Sequence, residues 1–267
     1  WIGTFHSIFA KFLRKHAQFV NLKSNFNILD SEDQKKLIKQ VLEYCKVDKE
    51  VSESIYLNEI QNLKDEKIFP KDKSKILKHS SLENIDEIYE LYQQRLIEIN
   101  GVDFGDILLH SYFILTNHKD IQKNHSNFIQ HILIDEFQDT NLLQYDLIKL
   151  LLNVNQNLFC VGDDDQSIYA WRGAKIENII NFPNEFNCEI VRLTKNYRSN
   201  YAILEAASSV ISNNKNRLGK NLESFNNKIP EQKINLKSFY SQEEESLWVA
   251  DNISRKYNDQ ETFGILV

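Results

Sequence analysis

The feature that most constrains the fold is the run ILIDEFQDTN at residues 132–141. Three branched apolar residues at 132–134 lead directly into two carboxylates, Asp135 and Glu136. A short apolar run of this kind is typical of a buried strand in a parallel sheet. Because parallel sheets bind ligands beyond the carboxyl ends of their strands, we expect both acids to lie at a ligand crevice.

Two adjacent carboxylates at a strand end suit a magnesium ion. Mg²⁺ prefers hard oxygen ligands, and it usually keeps water and phosphate beside a few protein groups. The expected division is that Asp135 faces the metal while Glu136 faces an attacking water. A strand that ends in a solvated acidic turn has the same sequence pattern, so the run alone leaves both interpretations open.

Two further blocks follow in the chain. A second apolar run at residues 158–161 leads into GDDDQSIYAWRGA at 162–174, and LTKNYRS occupies 193–199. Together with the opening WIGTFHS and the DEFQDT block, they closely resemble the UvrD/Rep/PcrA group of superfamily 1 DNA helicases. Nuclease-linked helicases share DEFQDT but look different where this chain has VGDDDQSIYAWRGA, which favours the UvrD/Rep/PcrA group.

The resemblance and the alternation of strand and helix patterns predict an α/β fold. We expect a RecA-like parallel sheet with an inserted all-helical subdomain, followed by the start of a second RecA-like domain. Residues 1–29 and 116–195 would form the first RecA-like domain. Residues 30–115 would be the helical insertion, and 196–267 the truncated beginning of the second domain.

Capping patterns predict where several helices begin. Ser31 with Gln34 three residues later forms a capping box, Ser241 begins a similar one, and Thr140 or Asn141 can cap a helix. Apolar alternation or short apolar runs predict strands at residues 188–193, 233–239 and 263–267.

Three residues have nucleotide roles by resemblance. Gln166 is the expected sensor of the γ-phosphate and couples nucleotide to DNA, while Arg198 offers its guanidinium to that phosphate from the second domain. A planar guanidinium suits this task better than a lysine. Tyr197 is expected to stack near the adenine or ribose. Without the resemblance, Tyr197 and Arg198 would be an interface anchor and a surface ion pair.

The turn at the chain's start is a candidate DNA contact. By resemblance, Thr4 and His6 touch single-stranded DNA. The alternative for His6 is a histidine that satisfies a local helix start. Phe104 is expected to belong to the core.

A second candidate DNA contact is aromatic. Tyr169 and Trp171 alternate with small residues, Arg172 follows, and bases stack on such faces with little dependence on sequence. The cluster lies close to Gln166 in the chain, so a nucleotide-driven shift could move it. Aromatic pairs this close are usually core residues. The family has glycine where this chain has Ala170, which puts the local turn in doubt.

The composition restricts which partners and surroundings the chain can have. The net charge is -6, so DNA binding must be local. One region is basic, with six basic residues against the single acid Glu205: Arg192, Lys195, Arg198, Lys215, Arg217 and Lys220. Widely spaced cysteines predict reduced thiols in a cytoplasmic protein. No apolar run reaches the ~18 residues of a membrane span.

The sequence lacks a phosphate-binding loop. Such a loop ends in Gly-Lys-Ser/Thr, whereas the pair Gly219-Lys220 is followed by Asn221. The chain also begins at Trp1 in mid-motif and contains no methionine. We therefore expect a fragment that binds ATP poorly and hydrolyses it negligibly on its own.

The functional expectation is the central part of an ATP-dependent DNA helicase that uses ATP and Mg²⁺. By resemblance, it would move 3′ to 5′ on single strands, act at single-strand/duplex junctions, and serve repair or replication with proteins of those pathways. Two alternatives stay open. One is a catalytically inactive DNA-binding or interaction module, and the other is the helicase part of a helicase-nuclease.

Overall fold

The computed structural model describes residues 1–47, 51–153, 157–215, 217–220, 222–225, 234–258 and 262–266. The helices among these residues are α1 Phe5–His16, α2 Ser31–Tyr44, α3 Glu53–Asp65, α4 Lys73–His79, α5 Ile85–Glu98, α6 Phe104–Asn117, α7 Lys119–Phe128, α8 Leu142–Leu151, α9 Ile176–Phe186, α10 Tyr201–Ile211 and α11 Gln242–Lys256. The strands are β1 Asn27–Ile28, β2 Gly101–Val102, β3 His131–Ile134, β4 Asn157–Cys160, β5 Lys195–Asn196 and β6 Glu223–Ser224.

The chain divides into two compact units, Trp1–Val191 and Arg192–Val267. In the described residues the strands form three parallel pairs, β1 with β2, β3 with β4 and β5 with β6. The α/β character and the parallel pairing predicted from the sequence are therefore confirmed.

The pair β3 and β4 carries the predicted strand ends, and its burial corrects one expectation. Ile132 and Ile134 face a core that α8 and α9 complete. Leu133 and Phe159 point to the other face, where 74% and 62% of their surfaces are exposed. The prediction of buried strands was wrong for one face, because a strand's side chains alternate between two faces and the described residues cover only one face of this pair.

Helices supply two further cores. One lies among α1, α6 and α8. The other lies within a helical layer, the helices α2 to α5, and contains residues from Leu29 to Leu96. The helix α6 contributes to the first of these cores, although the predicted insertion at residues 30–115 includes most of it.

Helix starts agree with most of the capping predictions. Asn141 caps α8, and its side chain and that of Gln144 each accept a bond from the other's backbone N–H. Ser241 likewise accepts from the Glu244 N–H at the start of α11. For α2 the capping residue is Asp30, which accepts from two backbone N–H groups, so the assignment to Ser31 was one residue late.

A buried ion cluster joins the helical layer to α6. The ammonium of Lys64 lies 2.7 Å from a carboxylate oxygen of Asp103 and 2.7 Å from one of Asp106. Asp103 caps α6 and also accepts a bond from the Tyr92 hydroxyl. Burial favours the neutral amine, but the two carboxylates outweigh it and raise the pKa of Lys64 above its usual value. The trio is a charged element of the interior.

The second unit contains β5, β6, α10 and α11 among its described residues. The predicted helix near residues 202–211 is confirmed by α10. The strands expected at 188–193 and at the described parts of 233–239 and 263–267 are absent, because these segments have no strand partner in the described residues. Lys233 and Val267 lie outside the described residues.

Candidate functional site

The acidic pair lies where β3 and β4 end side by side. The Val161 N–H donates to the Ile134 carbonyl at 2.8 Å, and the Phe137 N–H donates to the Val161 carbonyl at 2.9 Å. Asp135 and Glu136 follow β3 directly and are exposed. Glu136 has a φ of 51°, a left-handed conformation that few residues other than glycine adopt. The chain therefore turns sharply at this acid.

A buried glutamine, Gln138, bridges the two strand ends. Its Nε2 donates to Oε2 of Glu136 at 2.7 Å, and its Oε1 accepts from the Asp163 N–H at 2.9 Å. One amide thus holds the acid after β3 and the loop after β4. Sequence analysis missed Gln138: its place inside the DEFQDT block was visible, but nothing in the sequence indicated the direction of its amide.

Gly162 makes room for that bridge. A Cβ built on Gly162 would lie 2.9 Å from Oε1 of Gln138 and 2.7 Å from Cδ1 of Ile179. Real Cβ atoms essentially never approach other atoms below 3.0 Å. A side chain at 162 would therefore require the side chains of Gln138 and Ile179 to shift.

Gln166 lies on the loop that Gln138 anchors. Its Nε2 donates to Oδ2 of Asp163 at 2.5 Å, while the other oxygen of Asp163 accepts from the Asp165 N–H. The structure therefore brings Asp135, Glu136 and Gln166 to one edge of the sheet through a continuous hydrogen-bonded path.

The aromatic segment, residues 169–172, follows that loop. Trp171 is 73% exposed, which excludes a core role. The ring centroids of Tyr169 and Trp171 are 6.4 Å apart, and the guanidinium carbon of Arg172 lies 4.5 Å from the Trp171 centroid. Gly173 ends the turn in a left-handed conformation, whereas Ala170, its first residue, is not among the residues of positive φ. The segment presents flat apolar rings beside a cation.

Thr4 and His6 lie at the start of α1. Thr4 caps the helix by accepting from the Ser7 N–H, so its hydroxyl has a structural role. Burial lowers the pKa of His6, which favours a neutral imidazole. The His6 ring meets Phe104 edge to face, with centroids 5.6 Å apart. Phe104 is 50% exposed, so its prediction as a core residue was wrong: it is the first residue of α6, where half of its surface stays open to solvent.

Tyr197 and Arg198 belong to the second unit, and both are exposed. The ring of Tyr197 lies 4.6 Å from that of Phe225. The Asn196 side chain accepts from the backbone N–H groups of Arg198 and Ser199, which fixes the turn between β5 and α10.

The donor set at the strand ends suits a magnesium ion. In the described residues, no group of three or more His, Cys, Asp and Glu side chains could hold a metal. The pair Asp135 and Glu136 instead offers hard oxygen atoms on an open edge, as Mg²⁺ requires when water and phosphate complete its shell. Nearby, burial and the charge of Glu136 raise the pKa of Asp139.

Comparison with protein families decides the relationship. The family model of the UvrD/REP helicase N-terminal domain matches residues 1–187, and that of the UvrD-like helicase C-terminal domain matches 191–267. The chain belongs to the UvrD/REP helicase family. This membership implies an α/β RecA-like fold, and it confirms the resemblance inferred from the sequence blocks.

Curated relatives of this UvrD/REP chain include three bacterial helicases. DNA helicase II of Haemophilus influenzae is 44% identical over 83% of this chain. A probable DNA helicase II homolog of Rickettsia felis is 39% identical over 95%, and ATP-dependent DNA helicase PcrA of Staphylococcus aureus is 38% identical over 85%. The matched part of the chain spans 30%, 39% and 31% of these relatives' lengths.

The UvrD/REP chain shows no membrane-crossing helix: within the described ranges, every helix is too short or too polar to span a bilayer.

Proposed function

We propose that this chain is the central part of an ATP-dependent DNA helicase that moves 3′ to 5′ along single strands and unwinds duplex during repair or replication. The observation that carries the proposal is the path from Glu136 through Gln138 and Asp163 to Gln166. Trp171 follows Gln166 by only five positions in the sequence. Groups suited to ATP hydrolysis are thus connected to a loop that leads within a few residues to groups suited to base stacking.

The acidic pair divides the work of hydrolysis. Asp135 would hold Mg²⁺, which would neutralise charge on the phosphates, and Glu136 orients and deprotonates the attacking water. The bond from Gln138 fixes one oxygen of Glu136 and leaves the other for the water. A carboxylate held in this way keeps its orientation when the substrate enters.

Three further residues are assigned roles toward the nucleotide. Gln166 contacts the γ-phosphate through its side-chain amide and responds to its loss. Arg198 stabilises charge on the transferring phosphoryl group, and Tyr197 stacks on the adenine or ribose. Because Asp163 shares its carboxylate with Gln166, a change at the phosphate reaches the loop that precedes the aromatic segment.

Single-stranded DNA lies against two exposed surfaces. Tyr169 and Trp171 stack on bases, and Arg172 attracts the backbone. The turn with Thr4 and His6 supplies another contact, which the exposed ring of Phe104 extends. The net charge of -6 leaves affinity to such local contacts.

Substitution of Glu136 by glutamine tests the catalytic assignment. The measurement is ATP turnover, with and without oligothymidylate, in a form of the protein that includes a phosphate-binding loop. We expect Glu136→Gln to lower turnover by about 10²- to 10⁴-fold, because it removes a general base. Nucleotide and DNA binding should persist. Glu177→Gln, which alters an exposed acid on α9, is the matched control.

Near-normal hydrolysis by Glu136→Gln would refute the role of that acid. If the unaltered protein has no ATPase activity while Trp171→Ala still weakens DNA binding, the inactive DNA-binding module is the correct function.

A further inference from the structure

Asp65, the last residue of α3, links the helical layer to the candidate site. Its Oδ1 accepts from Nδ2 of Asn141 at 3.0 Å and from Nε2 of Gln61 at 3.0 Å. Asn141 also caps α8 and directly follows the DEFQDT block. A single carboxylate therefore ties the end of α3 to the start of α8.

The same end of α3 lies against residues 173–175, which directly follow the aromatic segment. A Cβ built on Gly173, whose φ is +83°, would lie 3.2 Å from Oδ2 of Asp65. Nearby, the ammonium of Lys175 is 3.0 Å from a carboxylate oxygen of Glu66. Gly173 thus lies close to the last residue of α3, and Lys175 pairs with the residue that follows this helix.

Residues 173–175 are also bonded to the end of the DEFQDT block. The Lys175 N–H donates to the Thr140 carbonyl at 3.0 Å, and Nδ2 of Asn178 donates to that carbonyl at 3.0 Å. An isolated bridge pairs Asn141 with Ala174. By contrast, the backbone bonds of the aromatic segment are short-range turns, such as that from the Arg172 N–H to the Tyr169 carbonyl. The position of the aromatic segment therefore depends on residues 173–175.

Local needs of α3 do not explain an acid at this position. A negative charge at the C-terminal end of a helix opposes the helix dipole. Burial, together with the charges of Glu66 and Asp103, raises the pKa of Asp65 to about 6. A charged carboxylate is thus unfavourable at this end of α3, and the hydrogen bonds from Gln61 and Asn141 offset part of that cost.

We propose that Asp65 is a positioning residue for the DNA-stacking surface: through Asn141 and Gly173 it lets the helical layer set where Trp171 lies. This inference rests on the proposed DNA contact of Trp171. A displacement of α3 would move residues 173–175 directly. The helical layer could thus influence how DNA bases stack on Trp171 without contacting DNA itself.

A double-mutant cycle in the 267-residue chain tests the inference. Affinity for fluorescent oligothymidylate is measured by anisotropy for Asp65→Ala, Trp171→Ala and the double variant. We expect Asp65→Ala to weaken binding about fivefold, equivalent to about one hydrogen bond. The double variant should bind no more weakly than Trp171→Ala, because Asp65 acts through that ring.

Three further variants separate positioning from stability. Asp65→Asn keeps an oxygen that accepts from Asn141 and should retain most of the affinity. Tyr56→Phe removes the bond from its hydroxyl to the Glu83 carbonyl, inside the helical layer and away from the segment, and should leave affinity unchanged. If Asp65→Ala fails to fold, Glu66→Gln tests the same anchor through Lys175, with an expected loss of about twofold.

A second readout needs no DNA. With Trp1 and Trp248 replaced by phenylalanine, quenching by iodide reports the exposure of Trp171 alone. Asp65→Ala should change the quenching constant, and Tyr56→Phe should not.

The outcomes distinguish the two proposals. Unchanged affinity in Trp171→Ala would remove the proposed DNA contact. A loss in Trp171→Ala with none in Asp65→Ala, or fully additive losses in the double variant, would overturn the role of Asp65 alone. Equal weakening by Tyr56→Phe would also overturn it, since general stability would then explain the effect.

Discussion

Two sets of carboxylates in the first unit have opposite surroundings. Asp103 and Asp106 are enclosed between the helical layer and α6, and they share the ammonium of Lys64. Asp135 and Glu136 are exposed, and in the described ranges neither forms an ion pair with a protein cation. The enclosed set is satisfied by the protein, whereas the open set has coordination capacity left for a ligand. Pairing, more than the presence of an acid, separates structural from functional carboxylates here.

Removal of Lys64 is the strongest way to break this contrast. Lys64→Ala leaves two buried carboxylates without their cation, and we expect the free energy of unfolding to fall by about 3–5 kcal/mol. Urea unfolding followed by circular dichroism measures the change. Lys36→Ala, which removes an exposed partner of Asp33, should cost less than about 1 kcal/mol. Equal losses in the two variants would mean that enclosure of the trio contributes nothing.

Asp65 is less enclosed than Asp103 and Asp106 but less exposed than Asp135 and Glu136, and the pH dependence of stability can detect its partial burial. Its pKa is about 6 in the folded protein, mainly through burial, against about 3.9 in an unfolded chain. The folded state therefore binds this proton more tightly, and the resulting stability is present at low pH and is lost as the pH rises through about 6. Relative to Asp65→Asn, the unaltered chain should gain about 1 kcal/mol between pH 7 and pH 5.

Urea unfolding of both proteins at the two pH values checks this difference. The comparison with Asp65→Asn cancels titrations that the two proteins share. A difference that does not change with pH, or one of opposite sign, would show that Asp65 is not enclosed as described.

Neutralising the open pair should have the smallest effect on stability. The double variant Asp135→Asn, Glu136→Gln removes two neighbouring negative charges that are exposed to water. We expect the free energy of unfolding to change by less than about 0.5 kcal/mol, as for most surface substitutions. Thermal unfolding of the double variant is the measurement. A loss comparable with that of Lys64→Ala would assign these acids to the fold.

Sequence patterns predicted features whose causes are local. The helix cap at Thr140 or Asn141 and the strand end before Asp135 depend on neighbouring residues; in the structure Asn141 is the cap, and the strand ends at Ile134. The strand patterns in the second unit failed because a strand requires a partner, which alternation alone does not provide. The contact between Lys64 and Asp103 joins residues 39 positions apart, so no local pattern could reveal it.

Within the candidate site, the sequence indicated which residues to consider but not what holds them. The chemistry of Asp135, Gln166 and Trp171 could be proposed from residue type and resemblance. The bridge by Gln138 could not, because it depends on the direction of one buried amide. The exposure of Phe104 was also missed, since an aromatic residue at the start of an apolar helix is usually covered.

The close approach of Gly162 to Gln138 has a consequence for how this protein can diverge. A methyl group at 162 would lie 2.9 Å from the amide oxygen, so Gln138 would have to shift before a side chain could fit there. We therefore expect substitutions at the two positions to be coupled, with a larger residue at 162 tolerated better when the residue at 138 is shorter. Libraries that randomise both positions together would reveal this coupling.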